Sequence, residues 1–282
     1  MFRNVRARGP ILLAATAAIL LAGCSHGRRD KLAKADNSYQ ERSVELLYAT
    51  GAQRMDDHQW SLASQYFDEV ERQHPYSEWA RRAILMEAFA HYQANQYDDA
   101  IAAADRFISL YPGNPSASYA YYLKAQCYFE QIADVGRDQG STEQAQAAFR
   151  EVQKRFPTSE YATDSKLKQD MIVDQLAGKE MSVGRWYLRQ GLPISAIGRF
   201  KTVVDKYQTT SHTPEALYRL VEANLTLGLR DEATKDGAVL GYNFPGDRWY
   251  DKAYALLTSK GLRPSAPPKP KPKGAMSRIG PV

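Results

Sequence analysis

The sequence predicts an all-α fold built from five consecutive helix pairs. Three observations predict it. A ring residue followed by proline recurs along the chain at His74-Pro75, Tyr111-Pro112, Phe156-Pro157 and Phe244-Pro245. Twelve residues before those prolines stand Ala63, Ala100, Ala145 and Ala233. Apolar residues recur at three and four, as in "YDDAIAAADRFISLYP", and no strand-like alternating run of useful length appears. A fifth unit fits the same frame, with Gln208 in the proline's place, Tyr207 as its ring and Ala196 as its alanine.

The order of small residue, alanine, aromatic and proline resembles the tetratricopeptide pattern. That resemblance implies a superhelix of helix–turn–helix units. The alanine belongs where two helices cross closely. Four residues on, Phe67, Phe149 and Phe200 fill the space between helices, while Ala104 and Gly237 take that place in the second and fifth units. Gly51 and Gly184 occupy the close-approach position on the first helices of units one and four. The proline ends the second helix because it cannot continue one.

The elements follow in order. Residues 1–23 read as a secretory signal: Arg3, Arg6 and Arg8, then an apolar run from Ile11 to Leu21, then small residues. The run is too short for a bilayer-spanning helix, which needs about 20 residues. "LLAGCS" resembles the bacterial lipobox, so Cys24 is expected to carry the lipid and to begin the mature chain. Ser25 after it favours the outer membrane, facing the periplasm. Residues 24–42 are a polar tether. Residues 43–115 hold repeats one and two, with polar turns at "DDHQ" and "ANQYD".

Residues 116–180 hold repeat three and extra chain. Pro75 to Pro112 and Gln208 to Pro245 both span 37 residues, but Pro112 to Pro157 spans 45 and Pro157 to Gln208 spans 51. The first excess predicts a longer loop at "ADVGRDQGST". The second predicts an additional or extended helix over Tyr161 to Leu176, an insertion between repeats three and four. Residues 181–260 hold repeats four and five. Residues 261–282, rich in proline and lysine, lack the apolar content to fold alone and read as a disordered, partly polyproline arm.

Charge and chemistry narrow the function. The whole chain is formally +5. The signal and the segment after Leu262 together hold eight basic residues and no acid, leaving 29 basic against 32 acidic residues between them. A nucleic-acid binder should concentrate positive charge on its folded body, so that class is rejected. His26, His58, His74, His91 and His212 are scattered and show no metal-ligand spacing. No nucleophile elbow appears, and acidic pairs such as Asp56-Asp57 and Asp98-Asp99 sit in turns. Cys127 lies in "YYLKAQCYFEQ" and reads as a small buried hydrophobe. The expectation is a protein that is not an enzyme, with no catalytic residue, no metal and no cofactor beyond the covalent lipid on Cys24.

What remains is binding. Stacked helix pairs create an extended concave surface lined by the first helices. Here those helices present Tyr48, Met55, Leu85, Phe89, Tyr92, Tyr119 and Tyr122 as a peptide-binding groove. Tyrosine suits that role, giving contact area and a hydrogen bond at low entropic cost. Inter-repeat core is the alternative place for any one of these rings.

"AIAAADRFISLYPGNPSASYAYYLKAQCYF", "RFPTSEYATDSKLK" and "WYLRQGLPISAIGRFKTVVDKY" together resemble the BamD family, lipoproteins of the outer-membrane β-barrel assembly machinery. The likeness spans about Cys24 to Leu257. It implies that the C-terminal repeats hold the barrel insertase BamA through its POTRA domains. It further implies that the N-terminal repeats bind the C-terminal targeting segments of unfolded outer-membrane proteins, and that other assembly lipoproteins are candidate partners. The family's arginine in the second helix of repeat four matches Arg199, which is expected to meet an acidic POTRA residue, with Tyr187 and Arg189 nearby. Gln208 and the long proline-rich C-terminal segment depart from the family pattern. A periplasmic tetratricopeptide scaffold for the cell wall or the Tol system is the alternative reading.

Overall fold

A computed structural model describes residues 42–263, so the signal, Cys24, the tether before Arg42 and the segment from 264 onward lie outside the described residues. The described residues form eleven helices and no strand. In chain order they are α1 Val44–Asp56, α2 Trp60–Gln73, α3 Glu78–Gln93, α4 Tyr97–Leu110, α5 Ala117–Glu130, α6 Gly140–Arg155, α7 Glu160–Arg189, α8 Pro193–Lys206, α9 Thr213–Thr226, α10 Arg230–Asn243 and α11 Arg248–Ser259. The first ten are the five tetratricopeptide-like pairs. The chain divides into two compact units, one ending at Ala90 and one starting at His91.

The turn inside a pair is set by one residue with positive φ. His58, Asn95, Gly191 and Gly228 hold it in pairs one, two, four and five, at φ between 56° and 75°. The next residue's N–H reaches back five residues: Gln59 to Arg54, Gln96 to His91, Leu192 to Tyr187 and Leu229 to Asn224, at 2.8–3.0 Å. This closure satisfies carbonyls that a helix end otherwise leaves bare. The turn between pairs is set by the ring residue. His74, Tyr111, Phe156, Tyr207 and Phe244 all leave helical geometry at φ near −130°. Each carbonyl then accepts from the N–H three residues on: Ser77, Asn114, Ser159, Thr210 and Asp247. Tyr207 with Gln208 makes the same turn as its proline-bearing counterparts, because this position needs only an ordinary negative φ, which proline pre-sets and glutamine can adopt.

The alanine frame is the packing frame. Ala63, Ala100, Ala145, Ala196 and Ala233 are all fully buried, as are Phe67, Phe149 and Phe200. In the first unit, Leu47, Met55, Ala63, Tyr66, Phe67 and Val70 form a core with Ala83 and Ala90 of α3. In the second unit, Phe149 packs with Ala125, Ile172 and Leu176, and Phe200 packs with Met181, Ala216 and Leu220. Gly51 is required by Phe67: an added Cβ would meet that ring at 2.8 Å. In pair five the volumes are exchanged, with Gly237 at the phenylalanine position and fully buried Val221 at the small one.

The two sequence excesses account for each other. The extra chain at Tyr161 to Leu176 extends a helix rather than adding one. It is the N-terminal half of α7, a continuous 30-residue helix that is the first helix of pair four. The long loop after α5 lies against it. Gln175 Nε2 donates to the Ala133 carbonyl at 2.8 Å, and Lys179 Nζ donates to the Gly136 and Arg137 carbonyls. Inside the loop, buried Gln139 donates to two loop carbonyls, satisfying polar groups the excursion would otherwise strand.

One element was not anticipated. α11 ends as the first helices do, with Gly261 at φ 70° and Leu262 N–H reaching back to the Leu257 carbonyl. It is therefore the first half of a sixth repeat. At the position where the full pairs place Gly51, Ala88, Ala125, Gly184 and Val221, all buried, α11 carries Tyr254, which is 47% exposed. Tyr250 of α11 covers Gly241 of α10.

Candidate docking sites

Arg199 precedes the buried Phe200 on α8, so its side chain starts at the rim of the core face and is 45% exposed. Its Nη1 donates to both carboxylate oxygens of Glu180 on α7, at 3.3 and 3.2 Å. The hydrogen bond and charge of Glu180 raise the arginine's pKa, and Tyr187 adds to the effect. Glu180 and Tyr187 are seven residues apart on α7, two turns along one face. Tyr187 also packs against the Phe200 core and meets Trp186 edge-on, with ring centroids 5.2 Å apart. Arg189 is exposed as the last residue of α7. The structure thus places Arg199 beside Tyr187, with Arg189 near the adjoining turn.

Glu180 is the residue that sequence reasoning missed. Its pairing with Arg199 depends on the register of α7 against α8, which no recurring residue type marks in the sequence. Three exposed apolar side chains near the same turn were also missed: Trp186, Leu192 and Ile194.

The residues expected to line a groove fall in both units. In the first unit Tyr48 is half-buried, 4.8 Å from Trp79 and 5.4 Å from Phe67 by ring centroids. Met55 is 8% exposed and belongs to the core, so it offers little surface to a ligand. Phe89 packs on the edge of that core, and Leu85 is half-buried.

In the second unit the tyrosines form one network. Tyr122 donates to Asp164 at 2.6 Å and accepts from Gln126 at 2.8 Å. Its ring meets Tyr161 and Phe149, and Tyr119 also meets Tyr161. Tyr92 donates to Glu130 at 3.4 Å. Burial pushes the Tyr92 hydroxyl up to about 12, with Glu130 adding to it, and raises Tyr119 and Tyr122 as well. These hydroxyls are neutral donors near pH 7. Cys127 is buried among these helices, and burial pushes its thiol up to about 12, which keeps it protonated and unreactive. Tyr161, at the start of α7, was missed as a member because sequence spacing does not show that this helix starts beside α5.

Among the described residues one acidic group, Asp68, Glu71 and Glu87, brings three carboxylates within 4.8 Å of one another. No helix among them is long and apolar enough to cross a membrane.

Three comparisons bear on identity. A family model described as YfiO, outer membrane lipoprotein, matches residues 40–240. A Caulobacter vibrioides protein named outer membrane protein assembly factor BamD is 65% identical over 252 residues, covering 89% of this chain and 83% of that protein. A Rickettsia prowazekii protein of the same name is 43% identical over 239 residues, covering 85% of this chain and 92% of that protein. The model match spans the docking residues just described, both relatives align over most of the chain, and the chain belongs to the YfiO family of outer membrane lipoproteins.

Proposed function

We propose that this chain is a non-enzymatic scaffold of the outer-membrane β-barrel assembly complex, anchored by lipid on Cys24 and facing the periplasm. One observation carries the reading: relatives named outer membrane protein assembly factor BamD align over most of both chains, at 65% and 43% identity. In this reading residues 181–260 dock the POTRA region of a BamA-like insertase. Arg199, oriented by Glu180 and Tyr187, meets an acidic residue there, and Arg189 lies at the rim. Residues 43–115 hold the C-terminal targeting segments of unfolded outer-membrane proteins. The half-buried rings Tyr48, Phe89 and Tyr92 supply contact area, and Leu85 supplies apolar surface. Tyr119 and Tyr122, in repeat three, are further rings offered to peptide. Other assembly lipoproteins join the same complex. The work is done by docking alone, where a few buried aromatic and arginine contacts dominate the binding free energy.

The test is isolation of the membrane-anchored protein with its partners. A barrel insertase as the main partner supports the reading, and a cell-wall or Tol-system protein in its place overturns it. Photo-crosslinkers at Tyr48 or Phe89 test the client half. They should capture barrel-protein C-termini, and capture of the insertase alone would refute that part. A mature N-terminus without fatty acid on Cys24 would refute the anchor.

A further inference from the structure

The charge pattern around Trp249 points to a second docking surface. Asp247 caps α11 through the Trp249 amide, at 2.8 Å, and fixes the indole at the first turn. Tyr218 of α9 stacks on the indole, with centroids 5.2 Å apart and planes 30° apart. Three cations surround the same ring. The Arg219 guanidinium lies 5.7 Å from its centroid, the Arg248 guanidinium 5.0 Å, and Lys252 Nζ 4.4 Å.

These cations are not equivalent. Arg219 is held by Glu222 at 2.9 Å and Glu215 at 3.3 Å, and Glu215 also binds Arg185 of α7 at 3.1 Å. Arg248 and Lys252 are exposed, stand four residues apart on one face of α11, and have no carboxylate partner among the described residues. Asp247 is engaged as the cap, and Asp251, between them in sequence, makes no ion pair. Two like charges gathered on one ring repel each other, so an added carboxylate is favourable there.

We propose that this surface docks an acidic peptide segment of a protein partner, with carboxylates on Arg248 and Lys252 and an apolar side chain against the Tyr218–Trp249 pair. The chain's own C-terminal segment from 264 onward contains no Asp or Glu, so its side chains cannot fill this role. A uniformly anionic bilayer is a poor fit, because Glu215 and Glu222 alternate with the arginines along the same strip. A peptide can match that alternation. The surface goes beyond the docking proposed at Arg199. Glu180 and Arg185 are five residues apart on α7, about 140° around the helix, so the two surfaces use different faces of it.

The test titrates the full-length protein in detergent with a short labelled peptide carrying acidic residues around a leucine, followed by fluorescence anisotropy. A second peptide has the acids replaced by their amides. The acidic peptide should bind and the amide peptide should bind at least about tenfold more weakly. R248Q/K252Q, on exposed positions that leave the core intact, should lose about tenfold or more, and W249L should also weaken binding. K235Q, at an exposed lysine paired with Glu232, should change nothing. Vesicles of phosphatidylglycerol should not compete. Unchanged affinity in R248Q/K252Q, equal binding of the amide peptide, no binding of the acidic one, or displacement by those vesicles each overturns the proposal. An R199E variant should bind this peptide normally, so failure of the Arg199 docking is read separately.

Discussion

A Cβ built on Gly184 would lie 2.5 Å from Cε1 of Phe200, nearer than side chains approach one another, so the first helix of pair four passes directly over the ring. G184A should therefore destabilise the protein by about 1–3 kcal/mol through overpacking, offset by roughly 1 kcal/mol of better helix propensity. Denaturant unfolding followed by circular dichroism measures it. The double variant G184A/F200L, which returns the lost volume, should recover part of the loss, and strict additivity of the two changes would show that they do not meet.

Gln208 should accept proline. Its turn carries the Tyr207–Thr210 bond found in the proline-bearing turns, and the Thr213 hydroxyl bond goes to its carbonyl, which proline retains. Q208P should stabilise by about 0.4–1 kcal/mol, acting through the unfolded chain. A loss of stability of similar size would show that residue 208 departs from the φ proline requires.

Asp236 gives a pH dependence. It accepts a hydrogen bond from buried Asn224 at 2.8 Å, but burial pushes its pKa from 3.8 up to about 6. Because the folded value lies above the unfolded one, the folded state favours the protonated acid. That stabilisation is present below pH 3.8 and is lost as pH rises through about 6. The full swing is on the order of 2–3 kcal/mol. D236N should therefore exceed the parent in stability at pH 7.5 and match it near pH 4. Parallel stability curves for the two proteins would contradict this.

The parts legible in the sequence were those fixed by local chemistry at constant spacing. The five alanines answer a steric demand that repeats every unit, and Phe67, Phe149, Phe200, Gly51 and Gly184 stand at fixed offsets from them, so counting located them. The parts that were not legible depend on register between elements. Glu180 meets Arg199 through the packing of α7 on α8, which no recurring residue type marks in the sequence. Tyr161 joins Tyr119 and Tyr122 only because that helix starts beside α5. The helix α11 lacked the alanine-to-proline frame, since that frame belongs to second helices and α11 follows the pattern of a first helix. Its end, Gly261-Leu262, repeats Gly191-Leu192 and Gly228-Leu229, and that recurrence was the available signal.

In the proposed function Arg199 is the charged contact of a docking protein. The most direct measurement is the affinity of the mature protein for the isolated POTRA region of the barrel insertase from the same organism, by titration calorimetry, with R199E and E180Q beside the parent. R199E should weaken binding by about tenfold or more, since it places a carboxylate against both Glu180 and the partner's acid. E180Q, which releases the guanidinium from its internal pair, should hold or tighten it. Equal affinity of R199E and the parent would contradict the account.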